Sequence, residues 1–120
     1  MAGLALGSVG CQSIYQQTQA LLPANPGDQL ALRVEEARRA EKSADAANGK
    51  LDARLAEGLS GDAISADVDR LEAAAHDLDR RVAAARDVAA RQTPPADLAA
   101  EIRRLDQRGR SLLQRVKSLR

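Results

Sequence analysis

The sequence has almost no aromatic side chains. Among 120 residues there is one tyrosine, with neither tryptophan nor phenylalanine. Most of the apolar content comes from 25 alanines and 16 leucines. Because small side chains cannot fill a wide core, this composition excludes a large single-core enzyme domain.

Residue types that carry chemistry are also scarce. The chain has one histidine, one cysteine and no glycine-rich run that could hold a phosphate group. We therefore predict no catalytic residues, no cofactor or metal site, and no small-molecule substrate. The 18 basic and 17 acidic side chains leave a net charge of +1, which gives the whole protein no field that would attract nucleic acid.

Charge divides the chain into regions, since residues 1 to 27 carry none and residues 28 to 120 carry all 35 charged side chains. Residues 1 to 10 form a residual, signal-like apolar segment, too short for the about 20 residues that span a bilayer. Residues 11 to 27 are polar and interrupted by Pro23 and Pro26, which predicts a flexible tether. Residues 28 to 120 are predicted to form the folded part.

The only cysteine follows a run of small residues, Ser8-Val9-Gly10-Cys11. This run resembles a bacterial lipobox, in which the cysteine is lipidated on sulfur and becomes the mature N-terminus. The resemblance implies lipid attachment at Cys11 and a signal that begins upstream of Met1. The alternative is an ordinary terminus with an incidental cysteine, although a lone cysteine makes no intramolecular disulfide and here has no histidine nearby to activate it.

Beyond Asp28 the apolar residues recur at spacings of three and four, which is typical of helices. The clearest series keeps a strict heptad for almost four repeats: Ile64, Val68, Leu71, Ala75, Leu78, Val82, Ala85 and Ala89. A second series has the same stepping: Leu98, Ile102, Leu105, Gly109, Leu112, Val116 and Leu119. A third series, at residues 30 to 55, has the same heptad spacing but includes two polar residues, Glu41 and Asn48. Its members are Leu30, Val34, Ala37, Glu41, Ala44, Asn48, Leu51 and Leu55. We expect Ala40 and Ala47 to rotate in beside Glu41 and Asn48.

These patterns predict an all-α fold, an antiparallel three-helix coiled-coil-like bundle or hairpin, with helices at about 28–57, 62–92 and 94–119. Asp28, Asp62 and Thr93 are expected as N-caps, with Gly58 and Gly61 bracketing a short turn. Since the seams are rich in alanine, the core is shallow. Self-association or another helical protein as partner is therefore expected.

His76 and two pairs of carboxylates are the first polar residues that could form a site. His76 lies beside the heptad seam on its outward side and has no second histidine or cysteine with which to share a metal, so we interpret it as an exposed structural residue. The carboxylate pairs Glu35-Glu36 and Asp67-Asp69 have spacings that do not face each other on a helix, and are interpreted as solvated surface.

Residues 97 to 120 hold seven basic and three acidic side chains. Arg103, Arg110 and Lys117 recur every seven residues and form an outward stripe, called here the basic stripe. The basic stripe is a candidate contact for an anionic partner, with an ordinary solvated face as the alternative. No aromatic residue is present to stack on bases, so nucleic acid is not expected.

Two families share local motifs with this chain. Cys11-Gln12-Ser13, followed by the stretch from Arg33 to Arg38, Arg-Val-Glu-Glu-Ala-Arg, resembles an uncharacterised family of bacterial envelope lipoproteins with long helices, over residues 11 to about 92. Ala-Asp-Val-Asp-Arg-Leu, at residues 66 to 71, is similar to the start of the heptad helix in murein lipoprotein. The C-terminal Lys117-Ser118-Leu119-Arg120 lacks the final lysine by which murein lipoprotein joins peptidoglycan.

The resemblances imply a non-enzymatic lipoprotein of the bacterial cell envelope, anchored in the outer membrane and facing the periplasm, with a structural or protein-interaction role. The alternative is a soluble cytoplasmic coiled-coil adaptor or scaffold, for which the first 27 residues are only a tail.

Overall fold

The computed structural model of the protein describes residues 26–120. Helix α1 spans Pro26–Ala56, a short 3-10 helix spans Gly61–Ile64, α2 spans Ser65–Ala89 and α3 spans Ala96–Leu119. Within residues 26–120 there is no strand. The predicted all-α fold is confirmed. Cys11 and most of the predicted tether lie outside the described residues.

Ion pairs between the helices show their directions. Arg54 pairs with Asp67 and Arg81 with Glu36, so residue numbers rise along α1 as they fall along α2. Pairs between α1 and α3 keep a constant separation of 63 residues, as in Arg104 with Glu41. The helices therefore run up, down and up, with α1 and α3 parallel.

The core is the predicted set of heptad seams. It consists of one connected cluster of buried apolar residues: Leu30, Val34, Ala37, Ala40, Ala44, Leu51, Ile64, Val68, Leu71, Ala75, Leu78, Val82, Ala85, Ile102, Leu105, Leu112 and Val116. Ala40 is buried and Ala47 half-buried beside the polar seam positions of α1, as expected. Gly109 is also buried, where its Cα faces Leu78 of α2.

The turn between α1 and α2 is a helix stop built on glycine. Gly58 has φ of 84° and donates its N–H to the Leu55 carbonyl at 2.9 Å, while the Leu59 N–H bonds to the Arg54 carbonyl at 3.2 Å. This is a Schellman motif, which uses the left-handed conformation that glycine adopts without steric cost. Gly61 also has positive φ, so the predicted glycine-bracketed turn is confirmed.

The helix starts differ from those predicted. α1 begins at Pro26, because proline suits a first helical turn, and Asp28 lies inside that turn instead of capping it. The region after Asp62 is first a 3-10 helix, with α2 starting at Ser65. No side-chain cap bond is present at the start of the 3-10 helix or of α2.

The last helix begins at Ala96 instead of residue 94. Pro95 is its N-cap, with extended dihedrals of φ −57° and ψ 147°. A residue that precedes proline is disfavoured in the helical region, so the Pro94-Pro95 pair delays the helix. Thr93 therefore does not cap it.

We expect Leu71→Asp or Leu78→Asp to remove most of the cooperative thermal transition, because each places a carboxylate at a site with 0% exposure. His76→Ala is the control on the same helix, since the His76 side chain is 61% exposed. It should change the free energy of unfolding by less than about 0.5 kcal/mol. Thermal melts by circular dichroism measure both. A larger loss from His76→Ala would contradict the observed packing.

Candidate interaction surface

Arginines and carboxylates of α1 and α3 form a row of ion pairs between the two helices, called here the α1–α3 ladder. Arg104 is bidentate: its Nη1 lies 2.7 Å from Oε2 of Glu41, and its Nη2 lies 2.9 Å from Oε1. Further along, Nη2 of Arg108 lies 2.7 Å from Oδ1 of Asp45. Arginine suits such pairs because its planar fork matches a carboxylate.

The ladder ends with Arg115, whose Nη2 donates to Oδ1 of Asp52 at 2.6 Å. Nη1 of the same guanidinium donates to Oδ1 of Asn48 at 2.5 Å. Glu41 and Asn48, the two polar residues on the seam of α1, therefore bind arginines of the parallel helix. This accounts for their presence in an otherwise apolar series.

Glu101 is a carboxyl group of the ladder that binds two arginines. It accepts hydrogen bonds from Nε of Arg104 at 2.8 Å and from Nε of Arg38 at 2.9 Å. These bonds, that from Arg104 foremost, lower the pKa of Glu101 from 4.5 to about 2. In turn, the carboxylates raise the pKa of the Arg104 and Arg38 side chains. The cluster remains charged throughout the physiological pH range.

Asp106 joins α3 to α2. It lies between Nη1 of Arg86, at 2.8 Å from Oδ1, and Nε of Arg110, at 3.1 Å from Oδ2. At the far end of α3, Arg120 pairs with Asp69 at 2.8 Å and also with Glu72. Both edges of α3 are thus held by charged side chains of the neighbouring helices.

The predicted basic stripe lies on the outer face of α3. Arg103, Arg110 and Lys117 are all exposed. Among residues 26–120, Arg103 and Lys117 make no ion pair, and Arg110 contacts only Asp106 with its side chain 67% exposed. Gln107 and Gln114, also exposed, lie between them. The structure brings the three cations onto one face, as the heptad phase predicts.

Sequence reasoning identified the outward cations but missed the inward row. Arg104, Arg108 and Arg115 lie beside the stripe residues in sequence and bind α1. The signal that pointed to them was the pair of polar residues on the α1 seam, Glu41 and Asn48. Spacing within one helix does not show which arginine meets them.

The interpretation of Asp67 as solvated surface is wrong. Its side chain is 2% exposed, and it is the one buried charged side chain among the described residues. Its two oxygens each lie 3.1 Å from a guanidinium, Oδ2 from Nε of Arg54 and Oδ1 from Nη1 of Arg70. Asp67 therefore joins the end of α1 to the start of α2.

The other polar residues of the described part do not form a ligand-binding site. Nε2 of His76 lies 3.8 Å from Glu72, and residues 26–120 hold no cluster of three metal-ligating side chains. An open groove of about 280 Å³ between α1 and α2 is lined by residues that include Glu36, Asp77 and Arg81, which pair with one another. None of the described helices is both long enough and apolar enough to span a bilayer.

Comparisons with protein families, curated proteins and solved structures find no match.

We expect Arg104→Gln to lower the free energy of unfolding by about 1 kcal/mol, because it leaves Glu41 and Glu101 without their shared guanidinium. Arg103→Gln is the matched control, since Arg103 is the adjacent arginine and makes no ion pair in the described part. It should cost less than about 0.5 kcal/mol. Urea denaturation of both variants measures the difference, and equal losses would contradict a stabilising ladder.

Acid should weaken the ladder through Glu101. Its pKa is about 2 in the folded protein and near 4.5 when unperturbed. Glu101 therefore stabilises the fold fully above about pH 4.5, and its contribution falls as the pH drops toward 2. The stability difference between the parent and Glu101→Gln should shrink over that interval. Denaturant unfolding at several pH values measures it, with Glu57→Gln as the control for removal of one exposed carboxylate. A constant difference would be the contrary result.

Proposed function

We propose that the chain is a non-enzymatic lipoprotein of the bacterial envelope, anchored through Cys11 and serving a structural or protein-interaction role. The observation that carries the proposal is the sequence order: Ser8-Val9-Gly10-Cys11, then an uncharged stretch to Gly27, then a charged helical bundle. The small residues before Cys11 resemble a lipobox, with Ser8 at the position where leucine is usual. The helical bundle is the folded domain that such an anchor would attach to the membrane.

The use of polar residues in residues 26–120 supports an interaction role. The buried interior is apolar apart from Asp67, which binds two arginines. Most arginines of the bundle make ion pairs with neighbouring helices or within a helix, whereas Lys42, Lys50 and Lys117 make none with any residue of the described part. Charged side chains thus fix the arrangement of the helices and leave defined exposed faces for contact.

A lipid anchor of the lipoprotein type gives stable membrane attachment. One acyl chain provides only marginal binding, whereas a diacylglyceryl group with an amide-linked chain holds a protein firmly. Gln12 follows the cysteine in place of aspartate, which by resemblance to lipoprotein sorting signals favours the outer membrane, facing the periplasm. The proposed partners are that membrane and, through the bundle, a second copy or another helical protein.

Detergent phase separation tests the anchor. We expect the protein, expressed in a bacterial host with its native upstream DNA, to enter the detergent phase, and Cys11→Ser to move to the aqueous phase. Ser13→Ala is the matched control, because it changes a nearby hydroxyl and retains the cysteine. Mass spectrometry of the N-terminal peptide should show a diacylglyceryl cysteine in the parent and in Ser13→Ala.

The alternative function predicts a different result. A soluble cytoplasmic adaptor would place the parent and Cys11→Ser together in the aqueous phase, with an unmodified cysteine. That outcome would overturn the envelope proposal, while the helical bundle would stand unchanged.

A further inference from the structure

Positive charge is concentrated on one helix. α1 has six basic and six acidic residues, and α2 has four basic and six acidic. α3, in contrast, has six basic and three acidic residues. A bundle with little net charge therefore has a positive side, which the whole-chain value of +1 conceals.

The acidic residues of α3 leave its outer face with a net positive charge. Glu101 is bound by Arg104 and Arg38 at the α1 edge, and its side chain is 18% exposed. Asp106 lies between Arg86 at the α2 edge and Arg110 of the basic stripe, with its own side chain 19% exposed and that of Arg110 67% exposed. Asp97 lies in the first turn, before the basic stripe begins. From residue 103 to residue 117 the outer face is thus cationic and free of exposed carboxylates.

The spacing of the cations in the basic stripe suits binding to an extended anionic surface. Three cations spaced by seven residues on a straight helix lie about 10.5 Å apart and cover about 21 Å. Between them are the exposed amides of Gln107 and Gln114, with no exposed aromatic or large aliphatic side chain. Such a face attracts charge at a surface, but it has nothing to insert into hydrocarbon or to stack on a base.

The position of the stripe relative to the anchor allows this contact. Fourteen residues lie between Cys11 and Pro26, so the chain between these two residues reaches at most about 54 Å. Because α1 and α3 are parallel with an offset of 63 residues, Arg103 is level with residue 40 of α1, and Lys117 with residue 54. These levels are about 21 and 42 Å from the start of α1, at 1.5 Å per residue. A bundle tethered at Cys11 can therefore lie with all three cations against the membrane.

We infer that the basic stripe docks on the anionic headgroups of the membrane that holds the anchor, so that the bundle lies flat with α3 facing the lipid. The inference rests on the proposed lipid anchor, which supplies the proximity. Electrostatic attraction decays over about 8 Å at physiological salt, so only the flat orientation brings all three cations within range. Each basic residue near an anionic surface favours the bound state about fivefold, and three together favour it roughly 100-fold.

An anionic lipid surface fits better than an acidic protein. The stripe has no apolar side chain to provide the buried centre that stable protein interfaces need. Headgroups, in contrast, are laterally mobile and can move to meet three cations at fixed spacing. The proximity imposed by a tether also compensates for the weakness of three contacts, because the second binding event becomes intramolecular.

The single cysteine allows a direct test on the full chain. Cys11 is coupled to an uncharged maleimide lipid in a supported bilayer of phosphatidylcholine with about one fifth phosphatidylglycerol, and neutron reflectometry measures the thickness of the protein layer. We expect a thin layer, close to the width of the bundle, at low salt. It should thicken toward the length of α1, about 46 Å, at high salt or on phosphatidylcholine alone.

Two charge-matched variants locate the contact. The combined change Arg103→Gln, Arg110→Gln and Lys117→Gln should keep the layer thick on the anionic bilayer, with a roughly 100-fold lower ratio of flat to upright orientations. The combined change Lys42→Gln, Lys50→Gln and Arg91→Gln removes three other exposed cations that make no ion pair within residues 26–120. It lowers the net charge equally and should leave the layer thin.

Other outcomes overturn the inference. A parent layer that is thick on the anionic bilayer would point to a protein partner for the stripe. Equal thickening of the layer by both variants would show that the orientation depends on net charge and not on the stripe. Because the coupling is chemical, these results do not depend on biological lipidation. Failure of the docking and failure of the lipoprotein proposal are thus distinguishable.

Discussion

The heptad seam of α2 is the contact on which the bundle depends, because α1 and α3 both pack against it. Leu71 and Leu78 are fully buried within it, and the small side chains of Ala75 and Ala85 alternate with the large ones. This seam sets a thin core with few large apolar groups. Because this thin core holds the three helices together only weakly, ion pairs at the helix edges also stabilise their packing.

The fold and the buried face could be predicted from sequence because both depend on local periodicity. Every seam residue predicted for α2 is buried or packed against the core. Details that depend on residues distant in the chain could not be predicted in the same way. Arg104 and Arg103 look alike in sequence, and only the position of α1 makes one bind Glu41 while the other stays exposed.

The errors in sequence interpretation have equally specific causes. Asp67 occupies a position beside the seam that would be solvated on an isolated helix, but Arg54 reaches it from the end of α1 and covers it. Pro95 starts α3 later than the favourable Thr93-Pro94 pair suggested, because a second proline constrains the first. For the candidate interaction surface, sequence alone placed the stripe correctly. The positions of Glu101 and Asp106 at the edges of α3 depend on ion pairs with Arg38 and Arg86 of the other helices, and these could not be predicted from sequence.

The constant offset of the α1–α3 ladder also protects the bundle from slippage. An apolar heptad seam packs almost equally well when one helix slides by seven residues, so the seam alone permits alternative alignments. A slide in one direction would set Glu101 opposite Asp45 and leave Arg115 opposite Leu59. A slide in the other direction would set Arg108 opposite Arg38 and Arg104 opposite Val34. The ladder thus favours the observed alignment of the two parallel helices, in which all of its ion pairs form together.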